Sequence, residues 1–129
     1  MMTKENLFFL LSVANGSNSI HYVMYNHALE LGARYAKKIP GAQWDNQKLL
    51  LALNESDLKK YELWFLSYVS SMLFFNEEFF GLLLKTYLKE CQAKKTVVKK
   101  IIKKDINEHL DYDYFDNKGE LLDLLFNEK

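Results

Sequence analysis

Apolar positions recur every three or four residues along most of the chain, the spacing that lays side chains on one face of an α-helix. Over residues 4–14 they are Leu7, Leu10, Leu11 and Ala14, with Thr3 placed to cap the first turn. Asn15-Gly16-Ser17-Asn18 breaks the pattern with turn-forming residues. It resumes to about Lys38 through Ile20, Val23, Met24, His27, Leu31 and Tyr35, and Ile39-Pro40-Gly41 ends that helix behind the favourable C-terminal charges of Lys37 and Lys38. Asp45 is placed to cap a short helix reaching Leu53, and Asn54 with Asp57 opens a fourth. The fourth helix shows a stripe of Leu58, Tyr61, Phe65, Tyr68, Val69 and Met72. Leu63, Trp64, Leu66, Leu73 and Phe74 make it apolar nearly all round, as a central, buried helix would be. Asn76-Glu77-Glu78 starts a fifth, lasting to about Gln92, with acids at its positive end and a stripe of Phe79, Phe80, Leu83, Leu84, Tyr87 and Leu88.

Two more helices are expected beyond these. The stretch VVKKIIKK would, as a strand, put lysine and aliphatic residues on both faces. As a helix capped by Thr96 and reaching about Leu110, it gathers Val97, Val98, Ile101, Ile102, Ile106 and Leu110 on one arc and sets Lys99, Lys100, Lys103 and Lys104 opposite. A last helix over 118–127 carries Leu121, Leu122, Leu124, Leu125 and Phe126. No repeat or low-complexity linker divides the chain. The pattern therefore predicts one all-α domain over residues 1–129, a compact irregular bundle of six to seven helices.

Composition sharpens this picture. A hydrophobic fraction of 49% in 129 residues is enough to build a core, whereas one proline and five glycines are too little punctuation for an all-β chain. The single cysteine, Cys91, excludes an internal disulfide and a multi-cysteine zinc site, and its place on the fifth stripe makes it a small buried thiol. LFFLLSVA, residues 7–14, is too short, and Glu5 too early, for a secretory leader, so an amphipathic first helix is the reading. The uncharged run 63–76 contains three serines and falls short of the roughly 20 apolar residues that cross a bilayer. The expected location is the cytoplasm.

The formal net charge is zero because two blocks cancel. Residues 85–104 hold eight lysines and one glutamate, whereas residues 105–129 hold eight acids and two lysines. A lysine face at Lys99, Lys100, Lys103 and Lys104 suits phosphate neutralisation, which makes a nucleic-acid-associated helical protein one alternative. Against it, sixteen of the seventeen basic residues are lysine, not the forked arginine of phosphate readers, and no aromatics lie on that face for base stacking. Pairing of lysine and acidic blocks between copies, in a self-associating structural subunit, is another.

The acidic block is the more distinctive of the two. Asp111 and Asp113 have the opening spacing of a calcium loop, but Asp116 stands where that loop needs glycine and Leu122 where it needs a bidentate acid. His21 and His27 are six apart and lie on different helical faces, which does not suit zinc. Serine-hydrolase, P-loop and dinucleotide patterns are absent, and no carboxylate pair is marked out for acid–base work. No cofactor and no metal are expected, and the chain reads as non-enzymatic. What remains is a stretch in which tyrosines alternate with carboxylates, the composition of a protein-docking hot spot ringed by steering charges. The expected function is a bacterial immunity protein that neutralises a partner toxin, such as a basic nuclease domain whose cleft the carboxylates occlude. Asp111, Asp113, Asp116, Glu120 and Asp123 would steer, and Tyr112 and Tyr114 would anchor.

Overall fold

The computed structural model describes residues 2–39, 41, 43–73, 75–93, 97, 98 and 100, and every regular element among them is an α-helix. In chain order these are α1 (Lys4–Ala14), α2 (Asn18–Lys38), α3 (Asn46–Leu51), α4 (Glu55–Met72) and α5 (Glu77–Glu90). They correspond to the first five helices that the pattern predicts. The two that would complete the six to seven lie outside the described residues, apart from a helical turn at Val97, Val98 and Lys100. Two compact units divide the chain, Met1–Leu63 and Trp64–Lys129. The division falls within α4.

In the first unit, α1 opens on a reciprocal cap. The Asn6 N–H donates to Thr3 Oγ1 at 3.1 Å, and the Thr3 N–H donates to Asn6 Oδ1 at 3.0 Å. Leu7, Leu10, Leu11 and Ala14 are buried as their spacing requires. The amides of Asn15, Gly16 and Ser17 then bond back to the carbonyls of Ser12, Val13 and Ala14, which turns the chain into α2.

Helix α2 packs against both α1 and α3. Its buried line is Ile20, Met24, Ala28 and Gly32, rotated from the expected stripe, so that Val23 is 39% exposed and His27 half-buried. The reason is close backbone approach: a Cβ on Gly32 would lie 2.6 Å from the Leu49 carbonyl oxygen of α3, and only a residue without one fits. Helix α3 is capped by Asp45, whose carboxylate accepts from the Lys48 N–H at 2.8 Å. It ends at Leu51, earlier than expected, and the Lys4 ammonium donates to the Leu51 carbonyl. The first half of α4 is tied to α2 by Tyr61, fully buried, whose hydroxyl donates to the Met24 carbonyl at 2.9 Å.

The second unit is built on the rest of α4 and on α5. Its core includes Phe65, Leu66, Val69 and Leu73 together with Phe80, Leu83, Leu84, Tyr87, Leu88, Cys91 and Val98. Rings order that core: Phe65 meets Tyr87 at 5.6 Å between centroids, and Tyr68 meets Phe80 edge-on at 5.4 Å. Ser70 is tolerated inside because its hydroxyl donates to the Leu66 carbonyl at 2.6 Å. Helix α4 is less enclosed than its composition implies, with Leu63 exposed and Trp64, Tyr68 and Met72 half-buried. Trp64 and Tyr68 instead stack on each other at 5.1 Å, one turn apart. Past α5, Gln92 takes a left-handed φ of 49° that ends the helix. No helix among the described residues is long and apolar enough to cross a membrane.

Candidate functional site

Asp111, Tyr112, Asp113, Tyr114, Asp116, Glu120 and Asp123 lie outside the described residues, as do Lys99, Lys103 and Lys104. Lys100 is described and exposed, on the turn where Val98 is buried and Val97 is 51% exposed. Over that turn the aliphatic arc is therefore narrower than expected, with Val98 inside and its neighbour partly outside.

Within the second unit, the outward face of α5 gathers features that the larger charge blocks obscure in the sequence. Asn76 caps the helix, its side-chain oxygen accepting from the Phe79 N–H at 3.1 Å, and Glu77 and Glu78 fill the first turn. Burial of Phe80, Leu83, Leu84, Tyr87 and Leu88 fixes the rotation of the helix. Glu78, Leu82, Lys85 and Lys89 must then point outward at spacings of four, three and four, and all four are exposed. Phe75, three residues before Glu78, is 78% exposed, and Leu82 is 50% exposed. An open depression of about 480 Å³ is lined by Glu77, Glu78, Gly81, Leu82 and Lys85. A second, of about 300 Å³, is lined by Asn76, Glu78, Phe79 and Leu82. The face runs from an acidic head through an apolar middle to a basic tail.

In the first unit a polar cluster around Asp57 joins two helices. Asp57 is fully buried at the start of α4; its carboxylate accepts from the Arg34 guanidinium, from the Tyr35 hydroxyl at 2.7 Å and from the Asn54 N–H at 3.0 Å. Asn54 returns the cap by accepting from the Asp57 N–H at 2.9 Å. The guanidinium also lies over the Tyr35 ring at 5.1 Å. The one arginine of the chain is thus spent on joining α2 to α4, a role that its rarity among sixteen lysines could have flagged. Among the described residues, no group of three or more His, Cys, Asp or Glu is arranged to hold a metal ion.

His27 lies beside the Tyr61 ring, at 5.8 Å between centroids. Burial lowers its pKa below the ordinary 6.5, opposed by the neighbouring charge of Glu30. A histidine held neutral in the fold binds more protons when unfolded, so its contribution to stability is complete above the unfolded value and is lost as pH falls through the lowered one. Urea midpoints measured between about pH 7.5 and 5.5 should therefore fall with pH, and His27→Gln should flatten that slope. An unchanged slope in the variant would remove His27 as its source.

Compared with protein-family models, curated proteins and solved structures, the chain matches none.

Proposed function

We propose that the chain is a non-enzymatic bacterial inhibitor of the immunity-protein kind, an all-α cytoplasmic protein of six to seven helices that neutralises a partner toxin. The reading is carried by the alternation of carboxylates and aromatics at residues 111–116, within a C-terminal block of eight acids and two lysines. Tyrosine offers rigid apolar area with a hydroxyl, and the surrounding carboxylates draw in a basic surface and can occupy a phosphate-binding cleft. The helical scaffold is compatible with the reading: the buried Asp57 carboxylate is held by Arg34, Tyr35 and the Asn54 cap, Tyr61 bonds across to α2, and Ser70 bonds within α4.

The test is capture of a partner from the source cell, followed by kinetics on the purified pair. The expected partner is a single stoichiometric protein with a toxic activity. Combined Asp111→Ala, Asp113→Ala and Asp116→Ala changes should slow association about tenfold at low salt while altering dissociation little. Tyr112→Ala with Tyr114→Ala should chiefly speed dissociation. Losses from alanine changes elsewhere, with none from these residues or from Glu120 and Asp123, would overturn the site. Recovery of nuclease-sensitive material in place of a protein would overturn the function.

A further inference from the structure

We propose that the chain also self-associates through the first half of α2, two copies packing antiparallel about a two-fold axis between Tyr22 and Val23. This goes beyond the inhibitor reading and uses a different part of the chain.

Charge marks this surface out. The chain is 26% charged, yet residues 6–29 contain no Asp, Glu, Lys or Arg. Eight of those residues are exposed, where charge ordinarily gathers, whereas charged side chains hold eight of the 17 exposed positions described over residues 30–63. Burial of Ile20, Met24 and Ala28 fixes the rotation of α2. Ser19, Tyr22, Val23 and Asn26 then share the opposite arc of the helix. Ser19 is exposed, Tyr22 is 70% and Val23 39% exposed, and Asn26 is half-buried. A tyrosine among serine, asparagine and an aliphatic residue, with charge excluded, is the composition of an interface centre.

The chemistry of the stripe selects a second copy as its occupant. A charged partner surface would bury an ion against groups that offer no counter-charge. A lipid surface is engaged by helices with a basic face, and this stripe holds no cation. The same stripe on another copy meets neither obstacle. Lysine only donates hydrogen bonds and a carboxylate only accepts them, so neither pairs with its own kind, whereas serine, asparagine and tyrosine do both. The stripe can therefore face itself, as an isologous contact requires.

Spacing fixes the orientation. Turned end for end about the point between residues 22 and 23, the stripe sets Tyr22 against the second copy's Val23 and Ser19 against its Asn26, and symmetry makes each pair twice. The Asn26 amide can donate to Ser19 Oγ, which shares one hydrogen bond with Ser17 Oγ at 3.4 Å and keeps a further lone pair. Glu30, the first charge beyond the stripe, is then about 22 Å from its own copy along the axis, whereas parallel helices would set the two carboxylates side by side. Opposed helix dipoles agree with the same choice. One helix face is smaller than a standard interface, so the dimer is transient, with a dissociation constant on the order of 100 μM.

Sedimentation velocity of the full chain over a range of loading concentrations tests this directly. The expected result is a reversible monomer–dimer equilibrium that shifts less than about twofold between about 0.05 and 0.5 M salt, because the contact contains no ion pair. Tyr22→Lys and Tyr22→Asp should each weaken it about tenfold or more, since like charges then meet beside the axis, while a mixture of the two variants should recover a heterodimer. Ile39→Lys, which places the same charge on a residue 55% exposed beyond the end of α2, should leave the equilibrium unchanged. The altered side chains are exposed, and unchanged helical circular dichroism would confirm that each variant folds. A monomer at every concentration up to about 1 mM, a dimer indifferent to the Tyr22 changes, or no recovery in the mixture would overturn the proposal. So would a dimer dissolved by salt, which would point to pairing of the lysine and acidic blocks, or a monomer that binds phosphatidylcholine vesicles through Tyr22. Because residues 111–123 stay intact and no toxin is present, none of these outcomes bears on the inhibitor reading.

Discussion

Asp57→Ala is expected to lower the unfolding free energy by about 3 kcal/mol, a loss in the range seen when one member of a buried ion pair is removed. The carboxylate is fully buried and receives three donors, two from α2 and one from the backbone at the head of α4. Alanine leaves the Arg34 guanidinium without its counter-charge and the Tyr35 hydroxyl without its acceptor, and it removes half of the reciprocal cap with Asn54. The figure stays at the lower end of the range because the Arg34 side chain is 38% exposed and water can solvate part of the orphaned charge. In a thermal melt the change should appear as a Tm lower by roughly 10 °C. Asp57→Asn, which keeps an acceptor for the cap but not the charge, should fall between the two. A loss below about 1 kcal/mol for the alanine variant would show that the ion pair and cap contribute no more than a surface pair does.

Gly32→Ala is the second large effect, and its sign runs against helix propensity. In an exposed helix interior this change gains about 1 kcal/mol. Here the new methyl would lie 2.6 Å from the Leu49 carbonyl oxygen, 3.0 Å from its carbon and 3.1 Å from its Cβ. The first two are backbone atoms of a helix pinned at its start by Asp45 and near its end by Lys4, so relief requires moving α3 as a whole. Overpacking of this kind costs about 1–3 kcal/mol, and the expected net result is destabilisation by about 2 kcal/mol. Gly32→Val should be worse, because its branch extends the same clash. Chemical denaturation of the alanine variant decides the matter; a midpoint equal to or above that of the parent chain would mean that α2 and α3 can separate at little cost.

These two positions also show where the sequence is readable and where it is not. Helix starts are legible because a cap is a local event: Thr3, Asp45, Asn54 with Asp57, and Asn76 each act within three residues of themselves. The buried face of α2 is misplaced because helical spacing of the larger side chains favours Val23 and His27 over Ala28 and Gly32. The face is in fact chosen by how closely another backbone approaches, and small residues carry almost no hydropathic signal for that. An isolated glycine inside a helical run is the available clue. Likewise, Arg34 and Asp57 stand 23 residues apart, and no periodicity joins them. On α5 the exposed stripe can be derived from the buried one, but the stronger lysine and acid blocks that follow it draw the eye past Glu78 and Lys89. The seven C-terminal contact residues rest on composition and alternation alone.

The bond from Tyr61 to Met24 has a consequence for how α2 breathes. The Met24 carbonyl is the one that the helical ladder assigns to the amide of Ala28, so it serves two donors from different helices. Fraying from either end of α2 stops at that doubly held oxygen. The central turn can expose its amides to deuterium only in an opening that also withdraws the Tyr61 ring, a larger event than local fluctuation of a 21-residue helix. Exchange along α2 is therefore expected to be graded, fast at Asn18 and Lys38 and slowest at the turn between Met24 and Ala28.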